Sequence, residues 1–219
     1  MLKTVDLFDL SHTVAGDFLK KCPYPWQALE HIGAWICDIG RALPAEEYDH
    51  PAAEIWISKR AQIAPSAVIA GPCIIGHGTE VRTGAFLRGN VLVGEGAVIG
   101  NSTELKNAIL FDGVQVPHFN YVGDSILGFR AHLGAGAVTS NVKCDKSPVT
   151  VHCGEESAET GRKKVGAMVG DRVEVGCNSV LCPGCVIGRD SIIYPLSAVR
   201  GTVPARHIYK NAQKILPMV

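Results

Sequence analysis

Branched aliphatic residues recur at every sixth position from Ile57: Ile57, Ile63, Ile69, Ile75, Val81, Leu87, Val93, Ile99 and Leu105. Neither an amphipathic α-helix, with apolar residues three and four apart, nor a flat strand alternating every second residue has this period. The frame slips by one residue at Leu110, continues through Val116 and Val122, slips again at Leu127, and passes through Leu133 to Thr139 in the aliphatic place. After a polar interval it resumes as Val169, Val175, Leu181, Ile187, Ile193 and Val199. Glycine often follows the aliphatic residue (Gly76, Gly94, Gly100, Gly170), and the fifth position of the hexad is small or β-branched (Ala61, Ala67, Cys73, Thr79). A hexapeptide period predicts a parallel β-helix in which each hexad is one flat face of a triangular coil, aliphatic side inward, with small residues turning the corners. Twenty-one hexads at three per coil give about seven coils. At a strand spacing of ~4.8 Å the prism is roughly 35 Å tall.

The repeat divides the chain into a helical appendage and linker at 1–55, the β-helix at 56–205, and a tail at 206–219. In the appendage, Trp26, Leu29, Ile32, Ile36, Ile39 and Leu43 fall at helical spacing after Pro25, a residue suited to a first helical position. These helices are expected to cap or flank the first coil, because the open end of a solenoid needs covering; a partner-binding helix pair is the other reading. The interval 141–168 is polar with one strand-like run, Val149 to Val151, and predicts a hairpin-like loop thrown out from a corner as a candidate wall of a site. The tail from His207 has a modest helical pattern and is expected to dock on the last coil or on a neighbour.

Lys plus Arg equals Asp plus Glu at 21 each, so no bulk basic field is present to hold a nucleic acid or an anionic membrane. Any anionic ligand must be met locally. No apolar run approaches 18 residues and the N-terminus lacks a signal-peptide pattern, so a soluble, cytoplasmic protein is expected. Eight cysteines include Cys182-Pro-Gly-Cys185, a spacing seen at zinc and redox sites. In the hexad frame, however, Cys73 and Cys185 take the small fifth position and Cys182 a usual glycine position, which reads as corner filling by reduced thiols.

Polar residues concentrate between Arg88 and Asn141. Arg88 and Lys106 are 18 residues apart, one coil, and are expected to stack on the same face. They form either a phosphate pocket or a solvated stack paired with Glu80, Glu104 or Asp124. The stretch from Leu87 to Lys143 resembles the hexapeptide-repeat acetyltransferase domain of bifunctional sugar-1-phosphate nucleotidylyltransferases that also make N-acetylglucosamine 1-phosphate. The resemblance extends over about residues 55–205 and rests most on H-x-x-Y-V-G-D at His118 to Asp124 and L-G-A-G at 133–136; the segment TGRKKVGAMVGDRVEVGCN is similar to the archaeal-type branch. It implies a left-handed coil and acetyl transfer from acetyl-CoA to an amino-sugar 1-phosphate without a metal. His118 matches the general base, a residue type suited by its near-neutral titration. Arg88 and Lys106 match binders of the sugar's phosphate, and Glu104, Tyr121 and Asn141 match contacts to the amino sugar. Ala135 and Lys164 match positions at the CoA groove. His132, also assigned to the substrate, stands where the bacterial enzymes have asparagine, and Val142 where they have tyrosine. The resemblance further implies a homotrimer with sites between subunits. The family's nucleotide-binding half, with its Gly-rich loop, has no counterpart in residues 1–50, so no nucleotidyl transfer is expected from this chain, and a separate nucleotidylyltransferase is a possible partner.

Two other readings stay open. One is a non-catalytic trimeric module that binds a nucleotide sugar or a partner nucleotidylyltransferase. The other is a zinc hydratase on the same fold, but its paired histidines lie about five residues apart, whereas His118 and His132 are 14 apart. His77, His152 and His207 lack supporting neighbours and read as surface residues. Elemental analysis of the purified protein is expected to find no stoichiometric zinc; one zinc per chain would overturn the acetyltransferase reading.

Overall fold

A computed structural model describes residues 1–218. The six-residue period becomes the sides of a triangular parallel β-helix because each inward aliphatic residue sits in register on the one a coil later. Along the first face run Ile57, Ile75, Val93, Leu110, Leu127, Val169, Ile187 and Val203. Along the second run Ile63, Val81, Ile99, Val116, Leu133, Val175, Ile193 and Tyr209. The third carries Ile69, Leu87, Leu105, Val122, Thr139, Leu181 and Val199. The seven expected coils are therefore complete and an eighth is begun. Thr139 is tolerated in an aliphatic row because its Oγ1 accepts from the Gly123 N–H at 2.9 Å and from the Ser125 hydroxyl at 2.9 Å.

The three faces differ in what lies outside them. On the first, the outward residues Ile74, Leu92, Ile109, Ile126, Met168 and Val186 are also buried. The N-terminal segment lies lengthwise over them. Its α-helix Ile32–Gly40 packs on the strands Cys73–Ile75, Val91–Val93 and Glu104–Leu110, and its 3₁₀ turn Pro25–Glu30 reaches Tyr121–Leu127. Gly40 permits the close approach, since a Cβ there would overlap the Trp56 ring. Phe8 packs on Phe111 with ring centroids 5.1 Å apart, and the Asp9 N–H donates to buried Asp171 at 2.7 Å. The last coils of this face are covered by the loop predicted at 141–168, which folds as an antiparallel hairpin, Thr150–Cys153 with Glu156–Glu159, against Cys185–Ile187 and Thr202–Val203.

Three expectations are corrected. The N-terminal helices flank several coils of the first face and not the first coil alone, because the apolar outward row gives their apolar stripe a partner beyond that coil. The first end is instead closed by the strand Tyr48–Ala52, antiparallel to Ile55–Ser58. The tail is not helical: His207–Asn211 is the last rung of the second face, with Tyr209 stacked on Ile193, and Lys214–Pro217 returns antiparallel to it. Solenoid stacking there outweighs a weak helical pattern. His77 is not a surface residue; only 12% of its side chain is exposed, wedged between the Ser58 hydroxyl and Glu47. Cys73 and Cys185 are buried fillers as the frame implied, and burial pushes the Cys73 thiol up to about 12.

Leu92→Ala, under the helix, is expected to lower unfolding stability by about 2–5 kcal/mol. Val68→Ala, on the exposed third face, should change it by less than about 0.5 kcal/mol. Urea midpoints with unchanged slopes measure both.

Candidate active site

The two frame slips decide the shape of the corner between the third and first faces. From Leu105 to Leu110 and from Val122 to Leu127 the chain turns this corner with one residue fewer than a full hexad, and a single left-handed residue makes each turn: Asn107 at φ 49° and Asp124 at φ 47°. Both residues are buried, with exposures of 7% and 2%. Asn107 Nδ2 donates to Asp124 Oδ1 at 2.9 Å and to the Leu29 carbonyl at 3.1 Å. Asn141 Nδ2 donates to Asp124 Oδ2 at 2.6 Å and to the Tyr121 hydroxyl at 3.1 Å, and Lys106 Nζ lies 3.7 Å from the same carboxylate oxygen. Burial holds the Tyr121 phenol above its ordinary pKa, against the opposing effect of the Asn141 hydrogen bond.

A cavity of about 720 Å³ opens over this network. Arg88 and Lys106 line it from the third face, Arg162, Lys163 and Lys164 from the returning limb of the inserted loop, and Leu29 and Glu30 from the N-terminal segment. The loop is therefore a wall, anchored by an antiparallel bridge between Val142 and Lys164 and by the Val165 N–H to the Asn141 carbonyl at 3.0 Å. Arg88 and Lys106 are stacked as their spacing predicted, and each has a carboxylate partner. Arg88 Nη1 meets Glu104 Oε1 at 2.6 Å, which raises the guanidinium pKa, while Glu80 is taken by Arg82.

His118 is at the other edge of the third face, ending the strand Gln115–His118 just before the corner, and its side chain is exposed. Asn120, buried at 3%, builds this corner. Its Oδ1 accepts from the His118 N–H at 3.1 Å, and its Nδ2 donates to the Gly134 and Ala137 carbonyls at 2.9 and 3.0 Å. The Gly136 N–H donates to the His118 carbonyl at 3.0 Å, so the L-G-A-G segment with Ala135 stacks directly under the histidine. Tyr121 lies between the two edges: its ring covers Gly123, where a Cβ would overlap it, and its hydroxyl points toward the cavity network. At ~3.3 Å per residue, the strand from Tyr121 to Asp124 spans about 10 Å.

The predicted residues thus separate into groups. Arg88, Glu104, Lys106, Tyr121, Asn141 and Lys164 gather around the cavity, and His118 with Ala135 holds the opposite edge of the same face. Lys164, expected at a CoA groove, shares the cavity with Arg88. His132 joins neither. It starts the next rung of the second face, where Nδ1 pairs with Glu174 Oε2 at 2.7 Å in a separate cavity of about 800 Å³. Sequence reasoning left out Asn107 and Asn120, and Glu30 had no signal at all. The signals for Asn107 and Asn120 were their positions at a frame slip and inside the histidine signature. No group of three or more His, Cys, Asp or Glu among the described residues is placed to hold a metal ion, and no helix is long and apolar enough to cross a membrane.

A triangular solenoid whose sides are six-residue rungs is a hexapeptide-repeat protein. Comparison with known proteins narrows this. The profile of the GMPPB C-terminal domain matches residues 69–175. A bifunctional sugar-1-phosphate nucleotidylyltransferase/acetyltransferase of Sulfurisphaera tokodaii is 33% identical over 94% of this chain and 55% of its own length. The bifunctional protein GlmU of Methanococcus maripaludis is 38% identical over 50% of the chain and 26% of its own length. The chain therefore spans about half or less of these bifunctional relatives. An uncharacterized acetyltransferase, YaiX, of Escherichia coli is 32% identical over 72% of the chain and 68% of its own length. Among solved structures, PerB of Caulobacter crescentus, in complex with CoA and GDP-perosamine, aligns at 19% identity and TM-score 0.39 over 74% of the chain and 55% of its own. The chain belongs to the hexapeptide-repeat acetyltransferase family.

Asp124→Ala is expected to destabilise the fold by about 2–5 kcal/mol, because the buried Asn107 amide, the half-buried Asn141 amide and Lys106 lose their acceptor. Asp124→Asn keeps one carbonyl acceptor and should cost less; equilibrium unfolding in urea ranks the two.

Proposed function

We propose that this protein transfers an acetyl group from acetyl-CoA to the amine of an amino-sugar 1-phosphate. The observation that carries the reading is the placement of His118 and the Arg88–Lys106–Lys164 cavity at opposite edges of one outer face, with Tyr121 between them. The sugar phosphate would lie in the cavity against the cations, with Glu104, Tyr121 and Asn141 along the sugar, so that the amine points to His118. The neutral amine nitrogen bonds to the thioester carbonyl carbon while the imidazole takes one of its protons. The resulting oxyanion would be met by backbone N–H groups of a neighbouring coil. Collapse breaks the carbon–sulfur bond, and the proton held on His118 returns to the departing thiolate, giving CoA thiol and the N-acetyl product. Assembly as a homotrimer is part of this reading, supported by the exposed apolar residues Phe86, Phe119, Val180 and Leu196 along the third face and its edge.

A non-catalytic binding module is the second reading, favoured by the pairing of Arg88 and Lys106 with Glu104 and Asp124 inside the chain. Thiol release from acetyl-CoA, followed with glucosamine 1-phosphate and with galactosamine 1-phosphate, separates them. The enzyme reading expects turnover with one acceptor and a fall in kcat of about 10²–10⁴-fold in His118→Ala. No thiol release with either acceptor would leave the binding module standing.

A further inference from the structure

The acceptor cavity has a wall that the hexapeptide scaffold does not supply. The 3₁₀ turn Pro25–Glu30 ends at its mouth, where Glu30 Oε2 lies 3.7 Å from Arg162 Nη1 on the opposite wall. The two ends of this pair are unlike. Arg162 is 28% exposed and its backbone is fixed: its N–H donates to Thr160 Oγ1 at 3.2 Å and its carbonyl accepts from the Val149 N–H at 2.8 Å. Its Nε is buried with no acceptor. Glu30 is 71% exposed. An ion pair this long with one partner in water is weak, and a guanidinium with an unsatisfied donor gains from a better acceptor.

We propose that Glu30 is a displaceable anionic latch: it occupies Arg162 in the empty protein and yields it to a phosphate oxygen of the acceptor. Arg162 is then a third-wall phosphate ligand beside Arg88 and Lys106. The N-terminal segment sets how strongly an anion must compete to enter, so the site favours a doubly charged phosphate over a singly charged or neutral acceptor. The bond from Asn107 Nδ2 to the Leu29 carbonyl keeps the latch in register with the cavity floor. This inference rests on the reading of the cavity as the acceptor's phosphate site.

The opposing explanation is a brace, in which the pair only holds the loop against the N-terminal segment. The two differ in sign. Calorimetric titration of the full chain with inorganic pyrophosphate, at constant ionic strength, gives Kd for wild type, Glu30→Gln, Arg162→Gln and Arg88→Gln. The latch expects Glu30→Gln to bind about two- to five-fold more tightly. It expects Arg162→Gln to bind at least about ten-fold more weakly. A brace makes both variants weaker, and that result, or no change in either, overturns the latch alone. Wild-type affinity in Arg88→Gln, or no binding by wild type, overturns the phosphate reading beneath it.

Discussion

The carboxylate of Asp124 is the point on which the candidate site depends. At two successive corners that are one residue short, Asn107 and Asp124 stand one above the other in left-handed conformation, buried beneath the N-terminal segment and the inserted loop, and a buried carboxylate must find donors. It finds them in three other parts of the chain: Asn107 below, Asn141 at the root of the inserted loop, and Lys106 on the third face. Through Asn107 the same network reaches the Leu29 carbonyl of the N-terminal segment. The cavity above it is bounded by these corners, the inserted loop and the N-terminal segment.

The allocation of the three faces follows from what each shows to the outside. From Ile75 to Ile187 on the first face the residue before each inward aliphatic is itself apolar, as in Cys73-Ile74-Ile75, Val91-Leu92-Val93 and Ala167-Met168-Val169, and two apolar rows require cover on both sides. The N-terminal helices and the loop hairpin supply it. That leaves the second and third faces uncovered, and of these the third carries Arg88, Glu104, Lys106 and Tyr121 outward beside the inserted loop.

Much of the site was legible because it follows the period. Arg88 and Lys106 stack since they are one coil apart, and the histidine signature falls at a corner since it follows Val116. His132 was legible as an unusual residue but not as a placed one. It starts a rung of the second face, so its side chain leaves the prism away from His118 and meets Glu174 one coil on. Two motifs adjacent in sequence can thus serve different corners, and only counting around the triangle separates them. The tail misled for the converse reason: a faint local helical pattern had no weight against Tyr209 continuing a stacked row.

By itself the sequence determined the β-helix and the family, because a six-residue repeat is a local property that any window reveals. The tertiary structure decided where the helical appendage lies, that Glu30 meets Arg162 across 132 positions of chain, and that Leu29 is bonded to Asn107, 78 positions away. The second contact joins a segment without the repeat to one that has it and the first joins two segments that both lack it, so no period relates either pair. They form because the apolar stripe of the N-terminal segment and the second apolar row of the first face have no other place to be buried.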